Sequence, residues 1–275
     1  MQAAPALKTA AVKKVAQDAA FVLHHYDWSE SSLILEVFSR QHGRISLVAK
    51  GAKKPTSNFR AVLLPLQRLE LAYSLPAVAD GADIGTLKSA HWLGGHTLPQ
   101  GDALLAGFYV NELLLKLLPR QDAQASLFDI YASCVALLAQ QGKASSSLPQ
   151  MQGQTALILR SFELLLLRAL GLLPDLGSSA SGHALQADGA LYQLQADRGL
   201  CLAEGRAADS LPAAAWLQLQ AALPAEQPFS ALLPLLLAWP AAQRTALRNS
   251  LRHVLHQHIG SSLKTRQLMA TLQGL

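Results

Sequence analysis

Between residues 19 and 90 the apolar side chains recur with a period of two, the repeat of a half-buried strand. Phe21 to Tyr26 predicts a first strand. Ser31 to Phe38 predicts a second, with Leu33, Leu35 and Val37 on one face and Ile34, Glu36 and Phe38 on the other. Gln41-His42-Gly43 supplies a hairpin turn. Beyond it Ile45, Leu47 and Ala49 alternate with Arg44, Ser46, Val48 and Lys50, so that one face packs and the other carries charge. After a Lys-Lys-Pro-Thr-Ser-Asn loop, Leu69, Leu71 and Tyr73 alternate with Arg68, Glu70 and Ala72, and Ile84 to Ser89 closes the series after Asp80-Gly81. About five short strands in some 70 residues predict a small closed barrel of the OB type.

From residue 100 the period changes to that of helices, and leucine and alanine become dense. Helices are expected over Asp102 to Leu118, Ser126 to Gln140 and Gln150 to Leu170, ending at Pro119, near Gly142 and at Gly171. The Gln150 to Leu170 segment is apolar nearly all round and is expected at the centre of a bundle. Glycines and Pro174 interrupt residues 174–206, which read as an inserted loop or small β element in the helical part. Helices resume over Leu211 to Leu223, Phe229 to Trp239 and Ala241 to Ile259. The fold class is therefore α+β and multidomain: a basic tail over 1–17, an OB barrel over 18–95, and a mainly helical domain over 100–275.

The formal net charge is +5 and the pI about 9.3. That excess is local. From Val37 to Leu69 there are seven basic residues (Arg40, Arg44, Lys50, Lys53, Lys54, Arg60, Arg68) and no acid, leaving 16 of the 23 basic residues elsewhere against 18 acids. Lys50, Lys53 and Lys54 flank a glycine-containing turn, where backbone can approach a phosphate and the lysines can displace its counterions. Phe59 is the candidate for stacking on a base. The alternative is a solvated loop that keeps the protein soluble. A second acid-free stretch runs from Gln227 to the end. There Arg244, Arg248 and Arg252, spaced four apart, form one helical stripe, followed by Lys264 and Arg266; this is a secondary basic surface or the wet face of an ordinary helix.

Other chemistry lacks its usual handles. Cys134 and Cys201 form no C-x-x-C pair, which fits a reducing cytoplasm, and no apolar run reaches the roughly 18 residues of a membrane span. Gly142-Lys143 lacks the upstream glycine of a nucleotide-binding loop, and no G-x-S-x-G surrounds Ser178, Ser179 or Ser181. His253, His256 and His258 are the nearest thing to a metal cluster, yet no carboxylate follows Glu226 to orient them. No metal, cofactor or catalytic residue is expected, and an enzyme such as a nuclease would need clustered carboxylates for magnesium.

Phe21-Val22-Leu23, Trp28-Ser29-Glu30-Ser31-Ser32-Leu33, Gly43-Arg44 and Leu47-Val48-Ala49-Lys50-Gly51-Ala52-Lys53 resemble the N-terminal barrel of the RecO family of bacterial recombination mediators. The resemblance continues at Phe108-Tyr109-Val110-Asn111-Glu112-Leu113-Leu114, Arg160-Ser161-Phe162-Glu163-Leu164 and Leu263-Lys264-Thr265-Arg266. It implies binding of single- and double-stranded DNA, annealing of complementary strands without ATP, and cooperation with RecR in loading RecA onto gaps, with RecF as a further partner. It implies a cytoplasmic, nucleoid-associated protein. It also implies that the helical domain docks the acidic C-terminal tail of the single-stranded-DNA-binding protein, with Arg160 carried over by position as a partner for its carboxylates; Arg160 could instead pair with Glu163 at i, i+3. Where many relatives hold zinc with two C-x-x-C pairs, this chain reads Ser179 and Gly182, then Cys201 and Glu204, and zinc is not expected. The rival reading is a protein-docking adaptor whose DNA contact is incidental.

Overall fold

The computed structural model describes residues 13–76, 84–141, 148–186, 189–203 and 208–273. Most of the expected tail, the Asp80-Gly81 turn, Gly142-Lys143 and Glu204 lie outside the described residues. The chain divides into two compact units, Met1–His96 with Leu118–Phe128, and Thr97–Leu117 with Asp129–Leu275.

In the first unit, β1 (Lys13–Asp27), β2 (Leu33–Ser39), β3 (Gly43–Ala49), β4 (Arg68–Leu75) and β5 (Ile84–Trp92) close into a barrel of order β1-β2-β3-β5-β4. Only β3 and β5 pair in parallel. This is the expected OB-type barrel. Val22, Leu35, Val37, Ile45, Leu47, Leu69, Leu71 and Tyr73 fill it, and the short helix α1 (Phe59–Val62) lays Phe59 and Val62 against that core. β1 is much longer than expected. Its first half pairs with β4 through Lys13↔Leu75 and Lys14↔Ser74, and its second half pairs with β2. Lys13 to Gln17 are therefore strand rather than tail. Two register shifts break the alternation there, between Val15 and Asp18 and between Val22 and His24, which hid the strand from a period-two reading. The four residues of α1 are too few to show a helical period.

A second correction concerns the outward face of β2 and β3. Its Arg44 end is covered, because Leu118–Phe128 returns to the barrel. The Gln121 N–H donates to the Arg44 carbonyl at 2.9 Å, and Arg120 donates to Ser46 Oγ and, at 2.9 Å, to Glu36 Oε1. The Phe128 ring stands 5.4 Å from both Phe21 and Phe38. Alternation shows which residues point outward, not whether a segment eighty residues away lies over them.

In the second unit, α2 (Gly101–Leu117), α3 (Ala125–Gln141, whose first turn belongs with the barrel), α4 (Leu148–Ala169), α5 (Ala213–Ala222), α6 (Pro228–Ala238), α7 (Ala241–Ile259) and α8 (Lys264–Gln273) form the helical body. As expected, α4 is central: Ser161 to Leu167 are all buried. Tyr131 of α3 packs edge-on to Phe162 of α4 and donates to Asn111 of α2 at 2.6 Å. α8 was not anticipated; the Glu112 carboxylate accepts from the N–H groups of Lys264 and Thr265 at its start, an acid at a helix N-terminus. The segment expected as an inserted loop or small β element is the latter: it holds two strands of a three-stranded sheet, β6 (Leu191–Gln195) and β7 (Gly199–Leu202), which β8 (Ser210–Pro212) completes just beyond it in the order β7-β6-β8.

Gly43 opens β3 at φ +66°, and a Cβ there would lie 1.8 Å from the Asp122 carbonyl oxygen, so both backbone conformation and space demand glycine. Gly43→Ala is expected to cost about 1–3 kcal/mol of stability in urea unfolding followed by circular dichroism. An unchanged midpoint would contradict the packing of the returning segment.

Candidate nucleic-acid interface

Cross-strand partners lie on one face of a sheet, so the pairs Tyr26↔Ile34, Ile34↔Val48 and Val48↔Thr86 define one outward row across four strands. This half of the outer surface is open. Tyr26 is 50% exposed, Ile34 and Val48 are half-buried, Ile84 is exposed, and Lys50 and Lys88 continue the face at its ends. The β1–β2 turn adjoins it. The Trp28 N–H donates to the Ser32 carbonyl at 3.1 Å, and the Lys53 N–H donates to the Ser31 carbonyl at 3.0 Å. Lys53 Nζ stands 3.3 Å from Asp27 Oδ1, which ties the lysine loop to a turn whose Trp28 is 61% exposed. Aromatic faces beside lysines can hold nucleobases and phosphates together.

Of the residues singled out by sequence, Lys50, Lys53 and Lys54 come together here. The rest do not join them. Arg40 lies in the β2–β3 turn, at the far end of a seven-residue strand and thus about 20 Å away. Arg44 is half-buried beside Glu36 at 3.7 Å, and burial and the neighbouring Arg120 push its guanidinium below its ordinary value. Arg60 is exposed on α1, Arg68 starts β4 opposite Phe21, and Phe59 packs half-buried against the barrel core. Tyr26, Trp28 and Lys88, which the sequence reading did not single out as site residues, are exposed on or beside this face. The available signal was two aromatics at a strand end where core packing has no use for them.

Within the helical unit Arg160, Arg252 and Arg266 converge on one buried carboxylate. Arg160 Nη1 stands 2.7 Å from Glu163 Oε2, and Tyr109 Oη donates to Glu163 Oε1 at 2.6 Å. Arg266 donates to Tyr109 Oη at 3.2 Å and lies 5.7 Å from the centre of its ring. Burial raises the Glu163 carboxyl, while Arg160, the Tyr109 hydrogen bond, Arg266 and Arg252 pull it down. Burial and Glu163 likewise raise the Tyr109 hydroxyl. Three guanidiniums against one carboxylate leave positive charge over, which suits an anionic group. Arg244 and Arg248 lie nearer the start of α7, Arg248 exposed, and Lys264 is exposed on α8.

The chain matches the family models "Recombination protein O N terminal" over residues 14–96 and "Recombination protein O C terminal" over 98–267. The chain belongs to the RecO family. It is 52% identical over 269 residues to the DNA repair protein RecO of Variovorax paradoxus, covering 97% of this chain and all of that one. The RecO proteins of Delftia acidovorans and Verminephrobacter eiseniae are each 52% identical, over 268 and 270 residues, with the same coverage.

Zinc does not fit the insert of this RecO chain. Ser179 Oγ is engaged with the His183 backbone and lies 3.0 Å from Ser181 Oγ, Gly182 has no side chain, and Cys201 offers a single thiol where a tetrahedral site needs about four ligands. Backbone bonds from Ser179 to His183 and from Ala180 to Leu200 tie the loop instead. Nor do the three α7 histidines gather on a metal: among the described residues no group of three ligating side chains forms, and His253 pairs at 2.8 Å with Asp209, a carboxylate from upstream in the chain.

The raised Glu163 value means that the folded protein holds this proton more tightly than the unfolded chain; the resulting stability is present at low pH and lost as pH rises through the elevated value. Arg160 is what chiefly offsets that loss. Arg160→Ala is expected to destabilise by about 3–5 kcal/mol near neutrality and by less at mildly acid pH, because the buried carboxyl left without its guanidinium is raised further and more readily takes up a proton. Urea unfolding at both values checks this, and a pH-independent loss would contradict it.

Proposed function

We propose that the protein is a non-enzymatic recombination mediator, holding single- and double-stranded DNA on the open half of the barrel and annealing complementary strands without ATP. The observation that carries this reading is the joining of Lys50, Lys53 and Lys54 to a turn and strand that expose Trp28 and Tyr26. The lysines lower the repulsion between two phosphate backbones. Stacking holds a base by its face and leaves its pairing edge open, so that base pairing supplies the driving force. With RecR, and with RecF as a further partner, the protein would then help RecA onto gaps covered by the single-stranded-DNA-binding protein.

The acidic tail of that protein would dock on the arginine cluster of the helical body. Because Arg160 is committed to Glu163, Arg252 and Arg266 are the better probes. Arg252→Ala with Arg266→Ala should abolish binding of an acidic, phenylalanine-terminated peptide in calorimetry while the fold survives; full retention of binding would exclude the cluster. The adaptor reading predicts in addition that charge reversal of the barrel lysines leaves repair function intact.

Fluorescence anisotropy with a labelled oligonucleotide at several salt concentrations tests the DNA reading. Each contacted phosphate of a single strand contributes roughly −0.7 to the log-log slope, so reversing Lys50, Lys53 and Lys54 together should shrink the slope by about 2. Unchanged affinity and slope would refute the assignment.

A further inference from the structure

We infer that the indole of Trp28 stacks on the last base pair of a duplex, so that the barrel recognises the junction where a single strand meets a base-paired stretch. This rests on the reading of the barrel as a DNA-binding surface and adds where on a gapped substrate it sits. Three features of the β1–β2 turn carry it.

The turn is held firmly. The Trp28 and Ser29 N–H groups donate to the Ser32 carbonyl at 3.1 and 3.4 Å, the Ser32 N–H donates to Ser29 Oγ at 3.2 Å, and the lysine loop is bonded to Ser31. A large side chain on such a support can stack with little loss of freedom. Trp28 is also 61% exposed, and its flat apolar ring gains by being covered.

The charges around it select what can cover it. Asp27, whose side chain is 79% exposed, precedes the indole, and the exposed Glu30 follows it. A single strand draped over the turn would bring its phosphates against Glu30 and against Asp27, with which they would have to compete for Lys53. A duplex end presents the bare face of a base pair and keeps its phosphates at the rim. Lys50 and Lys54, both exposed just across the Ser31 to Lys53 bond, then meet the single strand that leaves the junction. Attraction for the overhang thus lies beside repulsion for any backbone crossing the indole.

The test compares wild type, Trp28→Phe and Trp28→Ala by anisotropy on a single strand and on that strand paired to leave an overhang, with 2-aminopurine in the terminal pair. Circular dichroism melting confirms that each variant folds. Wild type should bind the overhang substrate about 5-fold or more tighter than the single strand, since stacking on one base is worth that much or more. Trp28→Ala should erase that preference and the 2-aminopurine response, weakening the overhang substrate about 5-fold or more beyond any loss on the single strand, and Trp28→Phe should keep most of both. Equal weakening on both substrates would overturn the inference and place the indole among the single-strand contacts. So would unchanged DNA binding in Trp28→Ala with loss of RecR binding, which would make Trp28 a protein contact. The lysine reversal separates the two readings: if it abolishes single-strand binding while wild type shows no junction preference, the junction inference falls and the DNA reading stands.

Discussion

Burying a carboxylate costs several kcal/mol unless it is paired and hydrogen-bonded, and Glu36, 4% exposed on the outside of the barrel, meets this demand with two arginines. Arg44 comes from the neighbouring strand and Arg120 from the segment that returns to the barrel after α2. The pairing fixes Pro119 to Asp122 against β3, with Gly43 leaving room for the Asp122 backbone. Removing either arginine would leave a buried charge with one guanidinium and the Ser46 hydroxyl. The outer face of β2 and β3 is thereby divided into a covered half that is structural and an open half near Tyr26, Val48 and Lys50.

That division explains how a basic window of sequence turns into a smaller surface. Arg44 is spent on structure, Arg40 lies at the distant hairpin, and beside the Trp28 turn Lys53 pairs with Asp27 while Lys50 and Lys54 stay exposed. A comparable economy operates in the helical body, where Arg160 pairs with Glu163, Arg266 donates to Tyr109, and the exposed Arg252 adds positive charge nearby. In both units a buried acid organises several arginines, and the cations it does not neutralise face outward.

Much of the architecture was legible in the sequence. The alternation of Ile45, Leu47 and Ala49 and the apolar run of α4 are strong patterns, and the barrel and bundle follow from them. What escaped notice depends on contacts between distant residues. The covering of Phe38 and Glu36 by Phe128 and Arg120, the pairing of His253 with Asp209, and the gathering of Arg160, Arg252 and Arg266 leave no local periodicity. Phe59, an aromatic among basic residues that reads as a base-stacking group, lies half-buried against the barrel core, a contact that local sequence does not show. Trp28 sits in a turn with no core to join, and that isolation was the available clue.

The central claim is that nucleic acid occupies the open half of the barrel and not the covered half. Hydrogen-exchange mass spectrometry of the full chain with and without a saturating oligonucleotide tests it most directly. Slowed exchange should concentrate in the peptides spanning Tyr26 to Ile34 and Val48 to Lys54, with Arg40 to Ser46 unaffected. Protection confined to Arg40 to Ser46, with no change around Trp28 and Lys53, would contradict it.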